Sequence, residues 1–328
     1  MMRWALLLTI LATPALAAPP DLPTLQTTRE LFAPPQPDGD LAFGAYQRGE
    51  YLLAMDEALK RVERKEAPGP AMTLIGFLYE NGLGFPKDFR KAAEWYELGT
   101  KEGDANSMVA LALLKLEGNG TPKDKNGAAD LFVKAAAKGD PVAHYNVGLL
   151  LLEGDVRPYD LEAAASHFRT AAEAGNPDAQ YAWGNMLRGG KGTKEDRALG
   201  ASFLAKAATQ GHTDAMTEYG IAMFNGDGVE KNEAGAAKLF IKAANKGHVV
   251  AMNRLARLYM AGRGLDGDNI QAAAWHIAAR KLGATDPLLD DLLNGLTAEQ
   301  LATAEKRAAE IGGTAQSAAL DASAVKAQ

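Results

Sequence analysis

The chain has 328 residues, of which 47% are hydrophobic and 23% are charged, and its formal net charge is −6. An acidic balance argues against a nucleic-acid-binding protein, which needs a basic stripe to contact phosphates. The chain contains no cysteine, so disulfides cannot contribute to its stability, which must come from packing.

The N-terminal sequence MMRWALLLTILATPALAAPP has the features of a secretory signal peptide. Arg3 supplies a positive charge, a short apolar run follows, and the small residues at 15 and 17 fit the rule for cleavage after residue 17. A membrane anchor is the alternative, but the apolar run is short and Pro14 interrupts it. We predict a signal peptide over residues 1–17 and a periplasmic or secreted mature protein without a membrane span. A cytoplasmic protein with an uncleaved leader is the other alternative.

Residues 18–40 are rich in proline, which predicts an extended, flexible leader. Residues 41–69 contain two short amphipathic stretches separated by Gly49. We interpret them as a degenerate helical hairpin, because the terminal units of repeat proteins are atypical and cap the stack.

A unit of 36 residues then recurs six times over residues 70–283. Two glycine sets show the period, namely Gly82, Gly118, Gly154, Gly190, Gly226 and Gly262, and Gly103, Gly139, Gly175, Gly211, Gly247 and Gly283. Each unit holds two stretches with helical apolar spacing, and the glycines fall where those stretches end. A fixed period of this length is typical of a solenoid of helical hairpins.

A further set of small residues lies midway along the first helix of each unit, at Gly76, Ala112, Gly148, Gly184, Gly220 and Ala256. Glycine inside a helix costs about 1 kcal/mol relative to alanine, so we expect it to permit a close crossing with the second helix. We expect a set of alanines on the second helix to face it, namely Ala135, Ala171, Ala207, Ala243 and Ala279.

The units follow the pattern A-x-x-x-L-G-x-x-Y-x-x-G-x-G-V and then K-A-x-x-W-Y-x-K-A-A-x-x-G, as in AMTLIGFLYENGLGFPKDFRKAAEWYELGTKEG from Ala71. This pattern resembles the Sel1-like repeat family, a relative of tetratricopeptide repeats. The resemblance implies an all-α fold, a right-handed α/α superhelical solenoid that binds other proteins. Some exported relatives carry a disulfide in each repeat and have been assigned β-lactamase or penicillin-binding activity. A cell-wall or β-lactam-hydrolysing enzyme is therefore the alternative function, although the absence of cysteine argues against it.

By analogy with tetratricopeptide repeats, the first helices should line the concave face, and we predict that a protein or peptide partner binds there. Three positions around the small residue of each first helix should point inward. The predicted binding residues are Phe77, Leu113, Tyr145, Leu149, Tyr181, Asn185, Arg188, Ile221, Phe224 and Arg257. The alternative is that these side chains pack across a tightly curved superhelix.

Residues 284–311 are predicted to form C-terminal capping helices, the last of which begins with a capping box at Thr297 to Gln300. Residues 312–328 are small and polar, which predicts a disordered tail.

The sequence indicates no catalytic residue, no cofactor and no metal site. The sequence GRGLDG at 262–267 fits G-x-G-x-x-G, but a helix precedes it, which favours a repeat turn over a dinucleotide site. His212 and His248 occupy the same position in successive units, and we interpret them as turn residues, since units stacked about 10 Å apart cannot share a metal. We therefore predict a non-enzymatic interaction protein, and the sequence leaves its partner and its oligomeric state open.

Overall fold

The computed structural model describes residues 40–327, so the predicted signal peptide and nearly all of the leader lie outside the described residues. Within this range the chain forms sixteen α-helices and no strand. The helices are α1 (Leu41–Gln47), α2 (Tyr51–Arg64), α3 (Pro68–Asn81), α4 (Phe89–Lys101), α5 (Ala105–Glu117), α6 (Lys125–Ala136), α7 (Pro141–Glu153), α8 (Leu161–Glu173), α9 (Pro177–Gly189), α10 (Arg197–Thr209), α11 (Thr213–Asn225), α12 (Glu233–Asn245), α13 (Val249–Ala261), α14 (Asn269–Lys281), α15 (Pro287–Asn294) and α16 (Ala298–Ala327).

Helices α3 to α14 form six hairpins, which correspond to the six predicted units. Each first helix packs against the second helix of its own hairpin, and each second helix packs against the first helix of the next. Contacts therefore run between neighbours along the chain, as in a solenoid. The predicted all-α solenoid of repeated hairpins is confirmed.

Helix ends follow the repeated residues. Gly118, for example, ends α5 with a φ of 81°, in the left-handed region that glycine adopts without strain. The second helices begin at a carboxylate or amide that accepts a hydrogen bond from a backbone N–H of the first turn. These N-cap residues are Asp88, Asp124, Asp160, Asp196, Asn232 and Asp268.

Three of the four glycines in this set, Gly76, Gly148 and Gly220, face aromatic rings of the second helices, and Gly184 meets Gly200 and Leu204. The prediction that alanines face them is wrong for these glycines. A Cβ atom on Gly76 would lie 2.5 Å from the Tyr96 ring, and a Cβ atom on Gly148 would lie 2.7 Å from the Phe168 ring. Real Cβ contacts are almost never that short. At these crossings glycine is needed because an aromatic ring fills the crossing point, which makes the ring part of the core of that hairpin.

Different helices cover the two ends of the solenoid. Helices α1 and α2 pack on the first repeat, where Phe77 meets Tyr46 edge-on with ring centroids 5.6 Å apart. At the other end α16 packs along α14, and the capping box at its start is confirmed by reciprocal hydrogen bonds between Thr297 and Gln300. Helix α16 continues to Ala327, where the sequence predicts a disordered tail. The difference has a physical reason, since this segment is rich in alanine, the strongest helix former, and contains no proline.

Candidate partner-binding face

The ten predicted binding residues, called the inner-face residues below, fall into two groups in the structure. The buried group contains Phe77, Leu113, Tyr145, Leu149 and Phe224. The half-buried group, called the open inner face below, contains Tyr181, Asn185, Arg188, Ile221 and Arg257. Four of the five buried residues belong to the first three repeats, whereas the whole open inner face belongs to the last three.

The buried group consists of core residues. In α5 the eight consecutive residues from Ser107 to Leu114 are all buried, so this helix is covered on every side. Tyr145 is fully buried, and its ring lies 5.7 Å from that of Phe168. The alternative interpretation, packing across the superhelix, therefore describes these five residues, and they present no surface to a partner.

In several repeats the inner-face position nearest the start of the first helix meets the N-cap residue of the helix that begins the next segment. In the first repeat the hydroxyl of Thr73 donates to Oδ2 of Asp104 at 2.7 Å. In the fourth repeat the ring of Tyr181 stacks on that of His212, with centroids 4.7 Å apart. Burial, together with the charges of Asp214 and other nearby carboxylates, raises the pKa of Tyr181 to about 12. This position thus ties neighbouring repeats together and positions the adjacent side chains.

His212 and His248 are N-cap residues, which confirms the interpretation that they are turn residues. The Nδ1 atom of each ring accepts a hydrogen bond from a backbone N–H of its own helix at 3.2 Å, so the proton lies on Nε2. These Nε2 atoms face the preceding repeat, with His212 3.1 Å from Asp178 and His248 2.8 Å from Asp214. The hydrogen bond from His248 lowers the pKa of Asp214.

Two arginines of the open inner face are held by carboxylates of the following segment. Nη2 of Arg188 lies 2.7 Å from Oδ2 of Asp227, across one repeat. Nε of Arg257 lies 2.6 Å from Oδ2 of Asp286, whose side chain is 1% exposed. Both guanidinium groups are therefore fixed in place, and Arg257 neutralises a buried charge.

The sequence reasoning missed a further arginine, Arg254, which lies on the same helix as Arg257. In the described part of the chain no carboxylate lies within salt-bridge distance of Arg254, although its side chain is half-buried. Burial, and then repulsion from Arg257, lower its pKa. The corresponding positions hold Leu74, Ala110, Asn146, Ala182 and Glu218. Charged residues occupy this position only in the last two repeats, and that change could have indicated the role of Arg254.

A comparison with protein-family models decides the family of the chain. The Sel1 repeat model matches six consecutive segments, at residues 69–104, 105–140, 141–176, 177–212, 213–248 and 249–283. The chain belongs to the Sel1 repeat family. The matched segments start within one residue of the predicted repeats and cover the same six hairpins.

Solved structures show the same Sel1 fold. A Sel1 repeat protein from Oxalobacter formigenes is 24% identical, and the match covers 76% of this chain and 100% of that chain with a TM-score of 0.63. A protective antigen from uropathogenic Escherichia coli, which displays an SLR fold, is 25% identical and covers 88% of this chain and 71% of its own, with a TM-score of 0.57. Among curated proteins, none matches the sequence.

The third Sel1 repeat contains a histidine pair that the sequence reasoning also missed. Nδ1 of His144 on α7 lies 2.9 Å from Nδ1 of His167 on α8. Burial lowers the pKa of both imidazoles. In the other repeats these two positions hold Met72, Met108, Gln180, Met216 and Met252, and Trp95, Leu131, Phe203, Leu239 and Trp275. The sequence shows that both positions change to histidine in the same repeat, but it does not show that the two side chains are in contact.

Two features are absent from residues 40–327. No group of three or more histidine, aspartate or glutamate side chains in that range is arranged to hold a metal ion. Over the same residues, no helix combines the length and the apolar character needed to cross a bilayer.

Proposed function

We propose that this Sel1 repeat protein is an exported, non-enzymatic scaffold or regulator that binds a protein or peptide partner through the open inner face. Sel1 repeats commonly mediate contacts between proteins, which supports the general function. The observation that carries the proposal is the change along the solenoid from buried to half-buried inner-face residues. The last three repeats therefore offer side chains that a partner can reach, whereas the first three offer a closed core.

The open inner face, together with Arg254, which lies near enough to Arg257 for the two charges to repel, favours a partner segment that carries an acidic group. Arg254 brings a partly desolvated positive charge without a carboxylate at salt-bridge distance in the described residues. Tyr181 and Ile221 of the open inner face add half-buried apolar surface. Tyrosine and arginine are enriched among residues that dominate interface energetics, and a charge pair across an interface also fixes register.

Site-specific photocrosslinking tests this surface. A photoreactive amino acid at Asn185 or Ile221 should crosslink a defined partner in native envelope fractions, and the same probe at Ser202 or Thr209, which are exposed on α10, should not. The charge reversal Arg254→Glu should weaken capture at least tenfold without changing the circular dichroism spectrum. Equal crosslinking from α10, or capture that is insensitive to Arg254→Glu, would exclude the surface formed by the open inner face and Arg254.

Export is supported by the signal-like N-terminal sequence and has its own test. The intact mass of the protein recovered from its native cells should correspond to a chain that starts at Ala18. A mass that retains residues 1–17 would favour the cytoplasmic alternative instead. The described residues contain no metal-ligand group that would support a metal-dependent cell-wall enzyme, and we expect the purified chain to leave nitrocefin and muropeptides unchanged.

A further inference from the structure

The histidine pair of the third repeat has the features of a metal-binding site formed by one hairpin. His144 and His167 come from the two helices of that hairpin, and their Nδ1 atoms lie 2.9 Å apart in a hydrogen bond, so one of the two carries a proton that a bound metal would displace to Nε2 of the same ring. Both residues are half-buried, so neither is fully sealed from water. An imidazole nitrogen is a preferred ligand of zinc, copper, nickel and iron.

In four of the five other repeats both positions are apolar, and only Gln180 in the fourth repeat departs from this. The corresponding positions in the second repeat hold Met108 and Leu131, and those in the fifth hold Met216 and Leu239. Packing alone does not require histidine here, because five other repeats of the same fold close their hairpins without it. The third repeat thus places two potential metal ligands in contact, at positions where the fold does not require histidine.

The surroundings of His144 are those of a metal ligand. Its ring hydrogen-bonds to the backbone carbonyl of Ala136, at the end of the preceding helix. A hydrogen bond of this kind from one ring nitrogen fixes the tautomer and leaves the other nitrogen as a lone-pair donor, as in known metal sites. The carboxylate of Asp140 also acts electrostatically on His144, which favours a bound cation.

The separation of the two nitrogens favours a particular geometry. With metal–nitrogen bonds of about 2.0 Å, two ligands at adjacent corners of a square lie about 2.8 Å apart, and two corners of a tetrahedron lie about 3.3 Å apart. The observed 2.9 Å is close to the first value. Square and tetragonal sites with nitrogen and oxygen ligands are typical of Cu²⁺ and Ni²⁺, and Cu²⁺ binds more tightly in the Irving–Williams order.

We propose that His144 and His167 chelate one Cu²⁺ ion through their Nδ1 atoms, with water completing a tetragonal coordination. The site links α7 to α8 within the third repeat. It is independent of the proposed partner-binding face, because neither histidine is an inner-face residue.

Electron paramagnetic resonance of the purified full chain with one equivalent of copper(II) chloride tests the proposal. A tetragonal spectrum with coupling to two imidazole nitrogens is expected. His144→Met and His167→Leu introduce the residues of the second and fifth repeats, so both variants should fold, and each should weaken Cu²⁺ binding at least tenfold. The double variant introduces the complete methionine–leucine pair and should remove the two-nitrogen signal.

The chain contains five histidines, which makes a matched control possible. His212→Asn and His248→Asn place at each N-cap the residue found at Asn176, and both should leave the two-nitrogen signal and the affinity unchanged. Copper binding that survives the double His144→Met/His167→Leu variant, or that disappears with the N-cap variants, would overturn the assignment. A spectrum with coupling to a single nitrogen would overturn it as well.

Discussion

The first three repeats and the last three repeats share one backbone plan but use the inner side of their first helices differently. In α7 the residues Val142 to Leu150 are all buried except His144. In α13 the buried residues alternate with half-buried ones such as Asn253, Arg254 and Arg257. A helix that is apolar all round is a core element, whereas a helix with one apolar stripe keeps a face for other contacts.

This difference shows that one position can serve stability in one repeat and recognition in the next. Tyr145 and Tyr181 are 36 residues apart, yet the first is fully buried and the second is half-buried. Because stability in a solenoid is a sum of repeat and interface terms, the closed repeats can stabilise the stack while the open repeats carry a less optimised surface.

The largest expected effect separates these two tyrosines. Replacing a fully buried large aromatic residue by alanine removes its packing and leaves a cavity, which costs about 3–5 kcal/mol. We expect Tyr145→Ala to lower the free energy of unfolding by that amount, and Tyr181→Ala, which removes a half-buried ring, to lower it by about 1–2 kcal/mol. Urea unfolding followed by circular dichroism measures both. Similar losses for the two variants would contradict the division of the solenoid into a closed and an open part.

The next effect separates two arginines of α13. Arg257→Ala leaves the carboxylate of Asp286 buried without its cation, and we expect a loss of about 2–3 kcal/mol. Arg254→Ala removes a half-buried charge that has no such partner in the described residues, so we expect a change within about 0.5 kcal/mol. The same unfolding measurement applies. Restoration of stability in the double variant Arg257→Ala/Asp286→Ala, relative to Arg257→Ala, would identify the unpaired carboxylate as the cause.

The sequence alone predicts those features that repeat and those that depend on local chemistry. The glycines after each helix and the N-cap residues such as Asp160 depend on a few neighbouring residues, and their period places them in every unit. The half-burial of Tyr181, in contrast, depends on how tightly the stack curves, which no local pattern encodes. The contact between His144 and His167 joins two helices, and it requires the rotation of each helix about its axis.

The small residues of the first helices also show that the sequence pattern does not identify which side chains meet between helices. Their spacing correctly indicates a close approach between two helices. The sequence pattern favours an alanine set, such as Ala171, as the facing residues, whereas in the structure the ring of Phe168 faces Gly148. Both residues lie on the buried side of α8, three positions apart. Sequence periodicity defines a face of about that width, and side-chain packing decides which residue of the face fills the crossing.

A smaller effect distinguishes two glycine crossings. Gly148→Ala would place a Cβ atom 2.7 Å from the rigid Phe168 ring, and we expect overpacking to outweigh the gain in helix propensity by about 1–2 kcal/mol. Gly184→Ala meets the carbonyl of Gly200 at 3.0 Å and the flexible side chain of Leu204 at 3.1 Å. These contacts are longer than the one in Gly148→Ala and need an adjustment of only a few tenths of an ångström, so we expect a smaller net change, within about 0.5 kcal/mol. Differential scanning calorimetry should place the melting temperature of Gly148→Ala clearly below that of Gly184→Ala.

The smallest effect concerns acid sensitivity in the open part of the solenoid. The hydrogen bond from His248 lowers the pKa of Asp214, so the ionised carboxylate stabilises the folded state at pH values above its unfolded pKa of about 3.9. This contribution is lost as the pH falls through the lower pKa of the folded state. Because half of the Asp214 side chain is exposed, Asp214→Asn should cost less than about 1 kcal/mol at pH 5.

Acidification should therefore reduce the difference in the free energy of unfolding between Asp214→Asn and the unmodified chain. Urea midpoints measured from pH 5 down to pH 2 should converge, because the native carboxylate becomes neutral like the amide that replaces it. Asp291→Asn, at an exposed position of α15, is the matched control and should show no such convergence. Hydrogen exchange should locate the acid-induced opening at the junction of α11 and α13, which His248 joins to Asp214, and leave α5 protected. Parallel midpoints for Asp214→Asn at all pH values would show that the His248 contact does not stabilise the open repeats.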